Sequence, residues 1–199
     1  MAIVQTVAPT LEPLTLADLK AHLRIDHDHE DQLIEGVIST ARRIAEEFSG
    51  RAFMQRTMRY ETCEFPSETA ARSDHIKLAL PPLVSVTSLE YLDESAGTFA
   101  TWASTNYIVD TTAEPGRVYR AYEVSWPTIR QQHNAVKITY VTGNATGSSD
   151  VPEHYKHALR LISEGLYEDR GEYVTGTIVK QLPRTAQDIL RPTRDWRFQ

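Results

Sequence analysis

The stretch Asp31-Gln32-Leu33-Ile34-Glu35-Gly36-Val37-Ile38-Ser39-Thr40-Ala41-Arg42-Arg43-Ile44-Ala45-Glu46-Glu47-Phe48-Ser49-Gly50 decides the fold. Leu33, Ile34, Val37, Ile38, Ala41, Ile44, Ala45 and Phe48 recur with the 3.6-residue period of a helix that buries one face, about four turns long. Ser49-Gly50 supplies its C-cap, because glycine enters the left-handed conformation at little cost. Acids in the preceding loop, with Arg42 and Arg43 nearer the far end, suit the helix dipole.

Upstream, Thr15-Leu16-Ala17-Asp18 carries a helix start. The Thr15 hydroxyl can accept an orphan amide and Asp18 favours the positive end, so Leu16, Leu19 and Leu23 predict a short helix from about 15 to 24. Downstream of Gly50 the period changes to two. Met54 to Phe65 alternates imperfectly, Ile76 to Leu80 is a short apolar strand halted by Pro81-Pro82, and Val84 to Leu92 alternates cleanly. Asp93 to Gly97 reads as a turn, followed by strands at Tyr107 to Val109, Val118 to Val124 and Val136 to Val141. No helix long enough for a crossover intervenes, so the sheet is expected to be antiparallel. After the polar linker Thr142 to Ser149, helical signals return. Pro152 opens one helix with Tyr155, Ala158, Leu159, Ile162 and Leu166 on its apolar face, and Arg184 to Leu190 forms a last short one ending before Pro192. The expected class is α+β: a helical bundle from residues 1–53 and 148–199, with an antiparallel β module, 54–147, inserted between.

The 199 residues suffice for one large or two small domains, and 41% hydrophobic with 24% charged residues is ordinary globular composition. The single cysteine, Cys63, rules out an intrachain disulfide or a Cys-rich zinc site and points to a reducing compartment; it is read as a small apolar group in a strand. No apolar run is long enough to cross a bilayer, and Met1 to Thr10 lacks a basic signal region, so a soluble, cytoplasmically made protein without membrane contact is expected. A net charge of −6 argues against broad attraction to nucleic acid. The charge is uneven. Residues 1–50 hold four bases against nine acids, whereas 180–199 hold five bases against two.

No catalytic constellation emerges. The chain lacks a GxSxG elbow, a phosphate loop and a dinucleotide fingerprint. Asp26-His27-Asp28-His29-Glu30-Asp31 is the one cluster that invites a metal, but it matches neither zinc nor calcium spacing and is read as a solvated helix start; His154 and His157 are read as surface histidines. No metal and no cofactor are therefore expected. The C-terminal end is more informative. Arg and Trp are enriched at binding hot spots, so Arg184, Leu190, Arg191, Arg194, Trp196, Arg197 and Phe198 are the expected partner-binding residues.

Two segments resemble a known family. Leu14-Thr15-Leu16-Ala17-Asp18-Leu19-Lys20-Ala21-His22-Leu23-Arg24-Ile25, an acidic loop, then Asp31 to Ile34 and Ala41 to Phe53 are similar to the opening of the head-tail connector (adaptor) proteins of tailed bacteriophages and gene transfer agents. Val151-Pro152-Glu153 opening a helix, Leu166 to Arg170 closing it, and Leu182-Pro183 through Asp188-Ile189-Leu190-Arg191-Pro192 to Arg194 resemble that family's third helix and final element. The resemblance implies a non-enzymatic ring, dodecameric, at the head-tail interface of a virion or particle. It would bind the portal protein on one face and the stopper or tail-completion protein on the other, with double-stranded DNA passing through the lumen unbound. It also implies that Arg191, Arg194, Trp196 and Arg197 anchor to the portal or a neighbouring copy. The competing expectation is a metal-dependent nucleic-acid-binding or hydrolytic accessory protein built on His27 and His29.

Overall fold

A computed structural model describes residues 2–66, 74–168 and 182–194. It is an α+β fold in which antiparallel sheets are inserted between N- and C-terminal helices. The chain divides into two compact units: Met1–Pro9 with Gln55–Asn144, and Thr10–Met54 with Ala145–Gln199.

The helical unit is built on α1 (Leu16–Leu23), α2 (Asp31–Ser49), α3 (Glu153–Glu168) and α4 (Arg184–Leu190). The Thr15 hydroxyl accepts from the Asp18 amide at 3.1 Å, and the Asp18 carboxylate accepts from the Thr15 amide at 3.2 Å, so α1 opens with the reciprocal cap that the residues foretold. Gly50, at φ 68°, ends α2 by donating its amide to the Glu46 carbonyl at 2.8 Å. The predicted stripe of α2 faces inward through Ile34, Val37, Ile38, Ala41 and Ala45. It meets Leu19 of α1, Ala158, Leu159 and Ile162 of α3, and Ala186 and Leu190 of α4. Phe53 leaves α2 and stacks on Tyr155 of α3 with ring centroids 4.6 Å apart.

The β unit has two antiparallel sheets. One has the order β1-β2-β8-β4-β5, from β1 (Ala2–Val7), β2 (Arg56–Thr62), β8 (Val136–Thr142), β4 (Leu83–Leu92) and β5 (Phe99–Thr101). The other is β3-β7-β6, from β3 (His75–Lys77), β7 (Arg117–Arg120) and β6 (Tyr107–Asp110). Central β8 alternates buried and half-buried positions along its length, as a period-2 strand with one face in the core must. Met58, Tyr60, Leu89, Val136, Ile138 and Tyr140 from the larger sheet close on Ile76, Tyr107 and Val118 from the smaller one, with Trp102 between them. The Tyr140 hydroxyl, inside this core, donates to the Ala79 carbonyl at 3.1 Å.

Several details depart from the sequence reading. The sequence pattern groups residues 1–53 with the helices, but Ala2–Val7 pairs with β2 and belongs to the β unit. Its backbone pairs with residues fifty or more positions away, which no local pattern reports. Strand β3 stops at Lys77 rather than Leu80, because Leu80 takes a left-handed φ of 62°. Strand β7 ends at Arg120, and Val124 lies beyond it in a loop. The three-residue β5 was not foreseen.

Candidate functional site

Helix α4 sets the orientation of the expected docking residues. Ala186 and Leu190 lie one turn apart and both point into the helical core, Leu190 with no exposed surface. Leu190 is therefore a core residue in this structure, not a surface contact, and this corrects the sequence reading. Arg184 and Arg191 lie outside that apolar stripe and are exposed, with no ion pair among the described residues. Arg194 is half-buried and stacks its guanidinium over the Phe48 ring at 4.9 Å, which ties the end of α4 to α2. The Thr193 hydroxyl donates to the Leu190 carbonyl at 2.9 Å and closes the same turn. Trp196, Arg197 and Phe198 lie outside the described residues.

The acidic loop does not assemble as a metal centre. The Lys20 ammonium lies 2.6 Å from Asp28 and 2.8 Å from Asp31, using the two carboxylates a cation would need. Hydrogen bonding to Asp28 and Asp31 raises the Lys20 pKa, and the same contact lowers that of Asp28. His27 and His29 stack on each other with centroids 5.7 Å apart. The Glu30 carboxylate accepts from the Tyr167 hydroxyl. His154 rests against the Tyr155 ring, and its neighbour Glu153 is paired with Arg160 at 2.5 Å. Among the described residues no three His, Cys, Asp or Glu side chains converge.

Cys63 differs from its expectation. It follows the end of β2, is exposed, and has its Sγ 3.7 Å from Nδ1 of His133. It borders a pocket of about 670 Å³ with Phe65, Ile129 and Gln131. Among the described residues no helix is long and apolar enough to cross a membrane.

Sequence reasoning also missed the outer face of the β3-β7-β6 sheet. Two rows of side chains cross it, His75-Tyr119-Ile108 and Lys77-Arg117-Asp110. Lys77 sits directly opposite Arg117, and like charges so placed repel. The alternation in each short strand was visible, but which strands pair was not.

Comparison with known proteins now adds to this geometry. Residues 13–79, which span α1 through β3, match the family described as phage gp6-like head-tail connector protein. No curated protein matches the chain in sequence. Among solved structures, a chain from "Neck of empty GTA particle computed with C6 symmetry" superposes with a TM-score of 0.79 at 20% identity, covering 100% of this chain and 98% of that one. Chains from "Virion of native gene transfer agent (GTA) particle" and from "Neck of native GTA particle computed with C12 symmetry" give 0.77 and 0.71, with the same identity and coverage. At that identity the likeness establishes the shared fold, from the first helix to the last. The match to the phage gp6-like head-tail connector family covers about a third of the chain, residues 13–79, and the likeness to the neck chains extends over the whole fold.

Proposed function

We propose that this chain works as the head-tail connector in the neck of a phage or gene-transfer-agent particle, as a ring of identical copies, twelve in number. One face of the ring meets the portal and the other meets the stopper or tail. The observation that carries this reading is the full-length likeness to neck chains, which covers 100% of this chain, together with the match of residues 13–79 to the connector family. The surface supports it. A cyclic ring joins unlike patches on successive copies, and the acidic N-terminal half and basic C-terminal end are unlike. In this reading the work asked of the chain is fitting, not bond chemistry. A chain of net charge −6 suits a lumen through which DNA slides, because 27 acids outnumber 21 bases and net negative charge repels phosphate.

Arg191, Arg194, Trp196, Arg197 and Phe198, together with Arg184, serve as the portal anchor in this reading. Capsids bearing a portal are incubated with the full chain and with a chain ending at Leu190, and bound protein is measured by co-sedimentation. The full chain is expected to bind and the shortened one to lose binding. A full chain that joins no portal-bearing capsid overturns the connector reading, and a shortened chain that binds equally well overturns the anchor.

A further inference from the structure

The outer face of the three-stranded sheet is chemically odd for an acidic protein. Lys77 and Arg117 are cross-strand neighbours of the same sign, and among the described residues neither has a carboxylate in ion-pair contact. Such a pair costs stability unless an anion shares it. Asp110 ends the row, but its Oδ1 already accepts from the Thr112 amide at 3.0 Å, the Thr112 hydroxyl at 2.7 Å and the Ala113 amide at 3.1 Å. Arg117 donates to the Tyr119 hydroxyl at 3.2 Å, while its Nε has no acceptor within hydrogen-bond distance, and neither does Nε2 of His75 find a partner. His75 and Tyr119 pack ring against ring at 5.1 Å. Beside them Ile108 is 57% exposed, a large apolar side chain left in water.

We propose that this face, His75-Tyr119-Ile108 and Lys77-Arg117-Asp110, is a subunit interface that receives acidic surface from the helical unit of a second copy of the chain. The inference rests on the connector reading and deepens it by naming the contact between neighbours. Charge complementarity identifies the occupant. Asp26, Glu35 and Glu47 of the helical unit are exposed and unpaired among the described residues, in a segment whose acids outnumber its bases nine to four. Duplex DNA is the poorer occupant. Phosphates would be repelled by Asp110 and would leave Ile108 wet, whereas a protein surface covers both an apolar centre and a charged rim. Burial holds the His75 pKa below its ordinary value and the positive field of Arg117 and Lys77 adds to this against the opposing pull of Asp74, while Asp110 attracts Arg117 without closing an ion pair.

Sedimentation velocity of the full chain at about 50 mM and about 500 mM salt tests this, with Lys77→Glu and the double variant Lys77→Glu/Arg117→Glu as probes. Lys77 is exposed, so its single variant keeps the fold even if the double one does not. The wild type is expected to self-associate at low salt, to weaken at high salt, and to lose about ten-fold or more in self-affinity with Lys77→Glu. Asp26→Lys with Glu35→Lys in the same chain as Lys77→Glu is expected to restore part of that loss. A wild type that stays monomeric at low salt, or self-association that Lys77→Glu leaves unchanged, overturns the interface while portal binding still stands as its own test. Binding of a labelled DNA duplex to wild type that is lost in Lys77→Glu overturns it in favour of nucleic acid.

Discussion

The Glu46 carboxylate, one turn before the end of α2, accepts a hydrogen bond from the Phe53 backbone amide at 2.9 Å. Its other oxygen lies 3.1 Å from Arg42, whose guanidinium also grips Glu12 at 2.7 and 3.1 Å. One buried carboxylate thus ties together α2, the segment before α1 and the chain that leaves the helix. Desolvation works against the Arg42 charge, yet hydrogen bonds and attraction from Glu12 and Glu46 outweigh it and raise its pKa. Replacing Glu46 by alanine leaves the Phe53 amide without its acceptor and Arg42 with half its counter-charge. The expected cost is about 2–4 kcal/mol in urea unfolding, with Glu46→Gln retaining part of it.

Gly116 faces the side chain of Leu83 so closely that an added Cβ would lie 2.4 Å from Leu83 Cβ. The contact is with the root of that side chain, which cannot swing away, so the backbone must shift. Gly116→Ala is expected to lower stability by about 1–3 kcal/mol, and to cost less in a Leu83→Gly background, where the Cβ it meets is gone. Additive losses in the double variant would show that the two positions do not crowd each other.

Tyr140 sits inside the β unit with its phenol pKa pushed up by burial and its hydroxyl on the Ala79 carbonyl. Tyr140→Phe keeps the ring and removes the donor. A loss of about 1 kcal/mol is expected from thermal unfolding. An unchanged melting temperature would mean that water satisfies the carbonyl instead.

Three turns share one device. Asp93, Asp110 and Asp150 each use a single carboxylate oxygen to accept three bonds from residues near them in sequence. The Ala96 backbone amide lowers the Asp93 pKa most, the Thr112 hydroxyl that of Asp110, and the Thr146 hydroxyl that of Asp150. A pKa lower in the folded state than in the unfolded one stabilises fully above the ordinary value of 3.8, and that contribution declines below it and is lost as pH falls through the lowered folded-state pKa. Denaturant midpoints measured from about pH 6 to about pH 3 should fall less steeply for the triple Asp→Asn variant than for the wild type. Equal slopes would assign the acid sensitivity to other groups.

How much of this was legible beforehand depends on the range of the forces involved. The stripe of α2, the Thr15-Asp18 cap and the Gly50 stop are local, because a helix bonds to itself within four residues and writes its buried face into its own spacing. Strands β4 and β8 announced themselves by alternation for the same reason. Strand β1 could not. Nearly every one of its side chains remains exposed, so it carries no buried period, and only pairing with β2 makes it a strand.

The expected docking end shows the limit most plainly. Composition put Leu190 and Arg191 in one group, but the phase of α4 against the core buries the first and exposes the second. Cys63 and His133, seventy residues apart, became neighbours only when the β unit closed. Lys77 and Arg117 likewise met only through the register of β3 on β7. The sequence alone determined the helices, the antiparallel character of the inserted module and the uneven charge, all of which follow from neighbours along the chain. Tertiary structure decided which strands pair, which cations face each other and which residues a partner can reach, because backbone pairing and packing join residues whose separation in sequence leaves no local trace.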